Sequence, residues 1–302
     1  MSEKVIAVVG ATATGKSDLA VALSLHLGGE VVNADASQLY RGMDIGTAKL
    51  PFPARRGIPH HQIDVLEITQ DAAVAAYQSA ARADIESVLA RGRIPVVCGG
   101  SGLYVRAALD VLEIPPTDAA VRARWEERLD DEGVEFLFSV LAVQDPTAAA
   151  KIDPRNGRRI VRALEVIELT GRPFSATMPR REYVLPTIQL GLRAARPVLD
   201  ERIERRTRRM WADGLLEEVE ALERAGLSGT RTASRAVGYA QAAAQLAGDL
   251  SEQEAIEDTV RATRRLVRRQ ESWFGADPRI AWVDACGSDV LASALEAIDS
   301  AS

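Results

Sequence analysis

The sequence predicts an α/β fold, a parallel sheet flanked by helices with a helical insertion, and three observations carry that prediction. Strand-like and helical runs alternate over the first hundred residues, as parallel βαβ units require. From about Pro116 to Gly171 no clear strand occurs, only helical stretches. Strand-like runs then resume, so the core is expected to be discontinuous, over 1–115 and 176–302, with the insertion over 116–175.

Element by element, "KVIAVVG" is a short apolar run that reads as a buried strand. A Gly-rich turn follows, and "KSDLAVALSLHL" has apolar spacing suited to a helix. "GEVVNAD" reads as a second strand ending at Asp35, "DAAVAAYQSAARADIESVLARG" as a long amphipathic helix, and "RIPVVCGG" as a third strand. Within the insertion, "DAAVRARWEERLDDEG" and "GRRIVRALEVIELTG" are helical. "PTIQLGL" and "RIAWVDA" supply further strands, Leu199 to Gln270 is mostly helical, and "SDVLASALEAI" closes the chain as a helix.

With 302 residues, 47% apolar and 26% charged, the chain can bury a full α/β core and a second small domain. No apolar run approaches the roughly 20 residues that span a bilayer. "MSEKVIAVVG" enters a strand at once, without the basic start of a secretory leader. Cys98 and Cys286 are too few and too far apart for a disulfide framework. A cytoplasmic protein without a membrane partner is expected. The net charge of −6 is unevenly distributed: between Lys151 and Gly275 there are 23 basic and 18 acidic residues, which leaves that segment +5 and the remainder −11. Such asymmetry points to a polyanionic partner.

"GATATGKS" fits Gly-x-x-x-x-Gly-Lys-Ser between a strand and a helix. Gly10 and Gly15 allow the tight turn, and the backbone from Ala11 through Thr12, Ala13 and Thr14 can surround a phosphate at the helix start. Lys16 brings charge to the outer phosphate, and the Ser17 hydroxyl suits Mg²⁺. This makes the sheet P-loop NTPase-like. An ATPase would add a strand ending in a metal-holding Asp, but "IPVVCGG" ends in Cys-Gly-Gly. The one candidate, Asp35, could instead act as general base toward an acceptor. A small-molecule kinase remains an alternative, and so does a non-catalytic RNA-binding module.

Arginines recur at helical spacing in three sets: Arg155, Arg158, Arg159 and Arg162; Arg202, Arg205, Arg206 and Arg209; Arg261, Arg264, Arg265, Arg268 and Arg269. Offsets of three, four and seven gather each set on one helix face. Forked donors suit phosphates and unpaired bases. Taken singly, each set more often marks a solvated helix face; only together with the resemblance given next do the first and third sets become the expected RNA contacts.

The blocks "VVNADASQLYRGMDIGTAKL", "IPHHQIDV", "PVVCGGSGLYVRAAL", "RRIVRALEVIELTG" and "ATRRLVRRQESWF" together resemble the tRNA dimethylallyltransferase (tRNA isopentenyltransferase) family of bacterial type, in the family's order from Gly10 to Phe274. The resemblance implies transfer of a dimethylallyl group from dimethylallyl diphosphate, with Mg²⁺, to the exocyclic N6 of the adenosine 3′ of the anticodon. The loop would grip the diphosphate leaving group, residues Gly10 to Ser17, with Ser17 on the metal. Asp35, Ser101 and Arg202 would be catalytic. Asp35, Ala36, Ser37, Gln38, Arg158, Arg159, Arg162, Arg264 and Arg268 would meet the anticodon stem-loop of a tRNA. A monomer is expected. Ser101 stands where the family often has Thr, Ala11 replaces a frequent Pro, Ser17 a frequent Thr, and Ala240 a basic or polar residue. Tyr40, Trp211 and Trp273 could stack on bases, while His60 and His61 match the family's "PHH" without an implied catalytic role.

Overall fold

Residues 4–177, 180–230 and 232–301 are described in a computed structural model. The chain forms two compact units, residues 1–109 with 183–302, and residues 110–182.

The larger unit begins with β1 (Val5–Gly10), buried throughout and therefore apolar along its whole length. Helix α1 (Lys16–Leu27) starts after Gly15 at φ 90° and stops at Gly28 at φ 68°, both left-handed positions that glycine takes without strain. Then come β2 (Gly29–Asn33), β3 (His60–His61), α2 (Val74–Ala90), β4 (Ile94–Gly99) and α3 (Gly102–Leu109). The smaller unit contributes α4 (Ala119–Glu132), α5 (Val134–Gln144), α6 (Pro146–Ala149) and α7 (Gly157–Thr170). The larger unit resumes with β5 (Thr187–Arg193), α8 (Arg196–Ala212), α9 (Leu215–Arg224), α10 (Tyr239–Leu246), α11 (Glu252–Gly275), β6 (Ile280–Asp284) and α12 (Val290–Ser300).

Among the described residues six strands form one all-parallel sheet in the order β3-β2-β4-β1-β5-β6. Five of them fall where apolar runs place them. The two-residue β3, beside Val31 and Val32, is too short to leave a periodic signal. The second strand ends at Asn33, so Asp35 lies two residues into the following turn.

On one face of the sheet Ile6, Val8, Val96 and Leu190 pack against Leu19 and Leu23 of α1 and Ile298 of α12. A second apolar cluster gathers Met43, Leu215, Val219 and Tyr239 among α8, α9, α10 and the loop after β2. That loop contains "YRGMDIGTAK". The Glu218 carboxylate accepts from the amides of Asp44, Ile45 and Gly46 and from the Tyr239 hydroxyl at 2.5–3.3 Å. Lys49, nearly fully buried, donates to Asp44 and Asp64 at 2.6 Å. A Cβ on Gly46 would collide with the Tyr239 ring. The motif is therefore distinctive because its backbone is pinned.

The smaller unit buries Trp125, Leu137, Leu141, Ile160 and Leu164. Helix α4 is capped by Asp118 and α7 by Asn156. Glu165 is fully buried among them. Burial alone would raise its carboxyl, but hydrogen bonds from Arg122, Arg162 and the Asp118 amide hold it below the usual carboxylate range.

Candidate active site

The carboxyl ends of β1 and β4 face the place where the chain divides, since β1 leads to β2 on one side and β4 leads on to β5 on the other. Open parallel sheets bind ligands at such a point. Gly10 closes β1 at φ 132°, and a Cβ there would stand 2.5 Å from the Leu192 carbonyl oxygen, so the turn needs glycine. The loop that follows is held from within and from two helices. Thr14 Oγ1 and Lys16 Nζ both donate to the Ala11 carbonyl, at 2.8 and 2.6 Å. Leu199 and Ile203 of α8 and Val260 and Val267 of α11 pack around Ala11.

That packing aims polar groups at the loop. One turn apart on α8, Arg202 donates to the Ala13 carbonyl at 3.3 Å and Arg206 to Thr12 Oγ1 at 2.8 Å. On α11 the Gln270 side-chain oxygen accepts from the Thr12 amide at 2.9 Å, while its nitrogen donates to the Gly100 carbonyl at 2.9 Å. Burial pushes the Lys16 ammonium down to about 8, against the upward pull of Cys98 and Asp35, and Arg206 adds to the depression. Burial likewise lowers Arg206, partly offset by Asp35. Cys98, behind the loop, is pushed up to about 11 by burial and stays a thiol. The cradle thus carries three cations around exposed helix-start amides, an arrangement that favours a multiply charged anion.

Asp35 stands across from this cradle. Its amide donates to Asn33 Oδ1 at 3.1 Å, and its Oδ1 accepts from the Ser37 amide at 3.0 Å. Asn33 is fixed in turn by the Gln62 carbonyl at 2.8 Å. Gly99 leaves no space for a Cβ beside Ala34, which brings the two turns together. Ser101 Oγ accepts from the Ala36 amide at 3.4 Å.

Two cavities meet here. One, of about 680 Å³, runs over the phosphate loop and is lined by Lys16, Ser17, Gln38, Ala48, Ile63 and Arg202 among others. The second, of about 420 Å³, lies along α11 and is lined by Ser37, Ser101, Leu103, Arg235, Arg269 and Trp273 among others. Both are lined by Thr12, Asp35, Thr47, Gly100 and Arg206. Asp35 is therefore reached from both sides.

The expected residues divide into groups. Thr12 to Ser17, Asp35, Ser37, Ser101 and Arg202 gather at the cavities, with Ala36 beside them, whereas Gly10 and Ala11 lie beneath the loop and line neither; Gln38 lies in the first cavity and donates to the Thr47 carbonyl at 3.2 Å. Arg158 and Arg159 are exposed on α7. Arg162 is turned inward, to Glu165 and the carbonyls of Pro115 and Pro116 at 2.8–2.9 Å, so it supports the insertion. On α11 Arg264 lies 3.3 Å from Asp200, whereas Arg268 and Arg269 are exposed. Tyr40 and Trp211 are core residues, while Trp273 is 45% exposed. His61 binds Glu30 at 2.7 Å beside Arg91, a structural ion cluster, and His60 lines the first cavity.

From sequence Arg206 figures only as one of an arginine face with Arg202, and Gln270 not at all, yet both touch the loop. Arg206 follows Arg202 by one turn, so the same face that brings Arg202 to the loop brings Arg206 there too. Gln270 is a polar residue on the apolar stripe of α11, three positions after Val267, a break in pattern that marks function or a buried network.

Residues 38–277 match the IPP transferase family model, and residues 3–55 the isopentenyl transferase model. A tRNA dimethylallyltransferase from Salinispora arenicola is 57% identical over 297 residues, 98% of this chain and 87% of that protein. One from Thermobifida fusca is 59% identical over 292 residues, 95% of this chain and 92% of that protein. Among solved structures, the tRNA isopentenylpyrophosphate transferase of Bacillus halodurans superposes with a TM-score of 0.71 at 36% identity, covering 99% of this chain and 95% of that one. A eukaryotic dimethylallyltransferase acting on tRNA superposes with a TM-score of 0.82 at 25% identity, covering 99% and 79%.

Proposed function

We infer the chemistry of this chain from the family to which it belongs, the IPP transferases: it is a tRNA dimethylallyltransferase, an enzyme that prenylates tRNA. The observation that carries the reading is the meeting of two cavities at Asp35, one floored by an anion cradle and the other bordered by a basic, aromatic helix face.

The diphosphate of dimethylallyl diphosphate occupies the loop, against the α1 amides, Lys16, Arg202 and Arg206. The prenyl group points toward Asp35. The target adenine, flipped from the loop 3′ of the anticodon, enters along α11. Its N6 attacks the prenyl C1 as the C1–oxygen bond breaks, and diphosphate leaves with the electron pair. The N6 lone pair is drawn into the ring, so loss of its proton to the Asp35 carboxylate as the bond forms aids attack. The cradle cations stabilise charge that grows on the leaving oxygen. Ser101 holds the turn at Ala36, next to the base.

The donor set fits Mg²⁺. Ser17 gives one hydroxyl beside the cradle, and no cluster of three carboxylate, His or Cys ligands occurs among the described residues. Mg²⁺ commonly takes one or two protein ligands and completes its shell with substrate phosphates and water. Bound there with Ser17, it would supply further charge neutralisation of the diphosphate.

Incubation with labelled dimethylallyl diphosphate and unmodified tRNA tests the reading. Label should pass to RNA without ATP. Failure of transfer, together with Mg²⁺-dependent ATP turnover, would restore the kinase alternative.

A further inference from the structure

The Gln270 side chain has both of its polar ends engaged on the donor cradle. Its oxygen takes the Thr12 amide and its nitrogen serves the Gly100 carbonyl, each at 2.9 Å. Gln270 is only 8% exposed, so neither bond is readily exchanged for water. The fit is tight: a Cβ on Gly100 would lie 2.6 Å from the Gln270 nitrogen. Thr12 also receives Arg206 on its hydroxyl, so one residue of the loop is held by α8 and α11 together.

The same helix forms the wall of the second cavity. Arg269 is adjacent to Gln270 in sequence, and Trp273 follows one turn later. The Trp273 ring packs so closely on Gly102 that a Cβ there would overlap it. Any ligand that shifts or stiffens this part of α11 therefore acts on the β4 turn at Gly100 and Gly102, and on the phosphate loop at Thr12. A side chain that bridges two binding surfaces gives them a shared free energy, and such coupling is reciprocal.

Building on the tRNA-prenylation reading, we propose that Gln270 is a positioning residue that couples RNA occupancy of the α11 face to diphosphate affinity of the loop. It touches neither reacting atom. RNA seated on Arg269 and Trp273 fixes α11 against the β4 turn, and Gln270, by accepting from the Thr12 amide, thereby holds the loop around Thr12 in its donor-binding setting.

Inorganic pyrophosphate and an unmodified anticodon stem-loop RNA form a non-reacting pair suited to the test. Calorimetric titration of pyrophosphate, with Mg²⁺, into the wild-type protein should give an affinity about 5–20 times higher when RNA is present, within the usual range of coupling. Gln270→Met, similar in size and helix preference, should bring that ratio to about 1 while each ligand still binds alone. Gln270→Glu keeps the acceptor for Thr12 but not the donor to Gly100; it should leave a reduced ratio, and it serves as the second variant if the Met form melts early. A merely structural Gln270 would weaken both ligands or lower the melting temperature without changing the ratio. A ratio near 1 in the wild type, or an unchanged ratio in the folded variants, overturns the proposal. Wild-type transfer of label to tRNA is run in parallel: transfer with no coupling defeats this inference alone, whereas absence of transfer defeats the reading on which it rests.

Discussion

Asp35→Asn preserves the size of the side chain and an acceptor for the Ser37 amide, but it removes the base. Turnover should fall about 10²–10⁴-fold, the usual contribution of a positioned base, with tRNA affinity nearly unchanged; single-turnover rates and filter binding give the two numbers, and near-normal turnover would discard the assignment. Lys16 gives a pH signature. Its ammonium titrates near 8 in the free protein, because burial disfavours the charge. Diphosphate prefers the charged form, so KM for the donor should rise as pH passes above about 8, by at most tenfold per unit, while remaining flat below. Folding stability should move the opposite way. The unfolded lysine keeps its proton up to about 10.5, so the unfolded state binds more protons between those values and stability rises with pH there. Lys16→Met should abolish both trends. The loop itself could be read directly from sequence because its chemistry is local: eight consecutive residues carry it. Gln270 escaped, and Arg206 was read only as part of an arginine face, because their roles depend on which face of a distant helix meets that loop.

At the scale of elements, α11 is both a core helix and an RNA face. Its buried stripe includes Val260, Val267 and Phe274, while Arg268 and Arg269 are exposed. Arg264 is occupied by Asp200, so the informative pair is Arg268 and Arg269. Changing both to Ala should reduce the slope of log tRNA affinity against log salt by roughly 0.7–0.9 for each phosphate that is no longer neutralised. Titrations at three salt concentrations would show it, and an unchanged slope would make this face merely solvated. The amphipathic period revealed the helix, but could not distinguish Arg264 from Arg268, since an ion pair with α8 leaves no mark on spacing. The loop after β2 depends similarly on a remote partner. Glu218→Gln replaces one carboxylate that serves three amides and a tyrosine hydroxyl; the amide nitrogen would oppose some of those donors. About 2–3 kcal/mol of stability should be lost, measured by urea unfolding, with donor KM raised as Thr47 loses its setting beside the cavity.

Across the whole molecule, acid should act on carboxylates that the fold holds charged, Glu30 in the larger unit among them, and the smaller unit gives the clearest test. Within residues 110–182, Glu165 and Asp145 both have carboxyls held below their ordinary values; burial opposes this, but Arg122 and Arg162 for the former, and the Ser175 and Ala148 amides for the latter, prevail. A depressed carboxyl contributes stability above its unfolded value and loses it as pH falls through the folded one. Hydrogen exchange followed by mass spectrometry should therefore show residues 110–182 losing protection as pH falls below about 4, and Glu165→Gln, which removes one titrating group, should lower protection already at neutral pH and make the further loss in acid smaller. The alternation of strands and helices made the architecture legible, including five of the six strands and a helical stretch interrupting them. The order of strands was not legible, because parallel pairing leaves no local trace.

That order has a consequence for how the chain is made. β1 is synthesised first, yet it lies between β4 and β5, and its last neighbour is complete only at Arg193. One edge of this apolar strand can be filled by β4 about 90 residues later, but the other stays open while some 180 further residues are translated. The Gln270 brace arrives later still. A message cut short before α11 would encode the phosphate loop whole, but without the Gln270 bonds to Thr12 and Gly100 that brace it, and with strand edges open to aggregation. Nascent chains of this protein should therefore depend on holding chaperones until α11 has been translated.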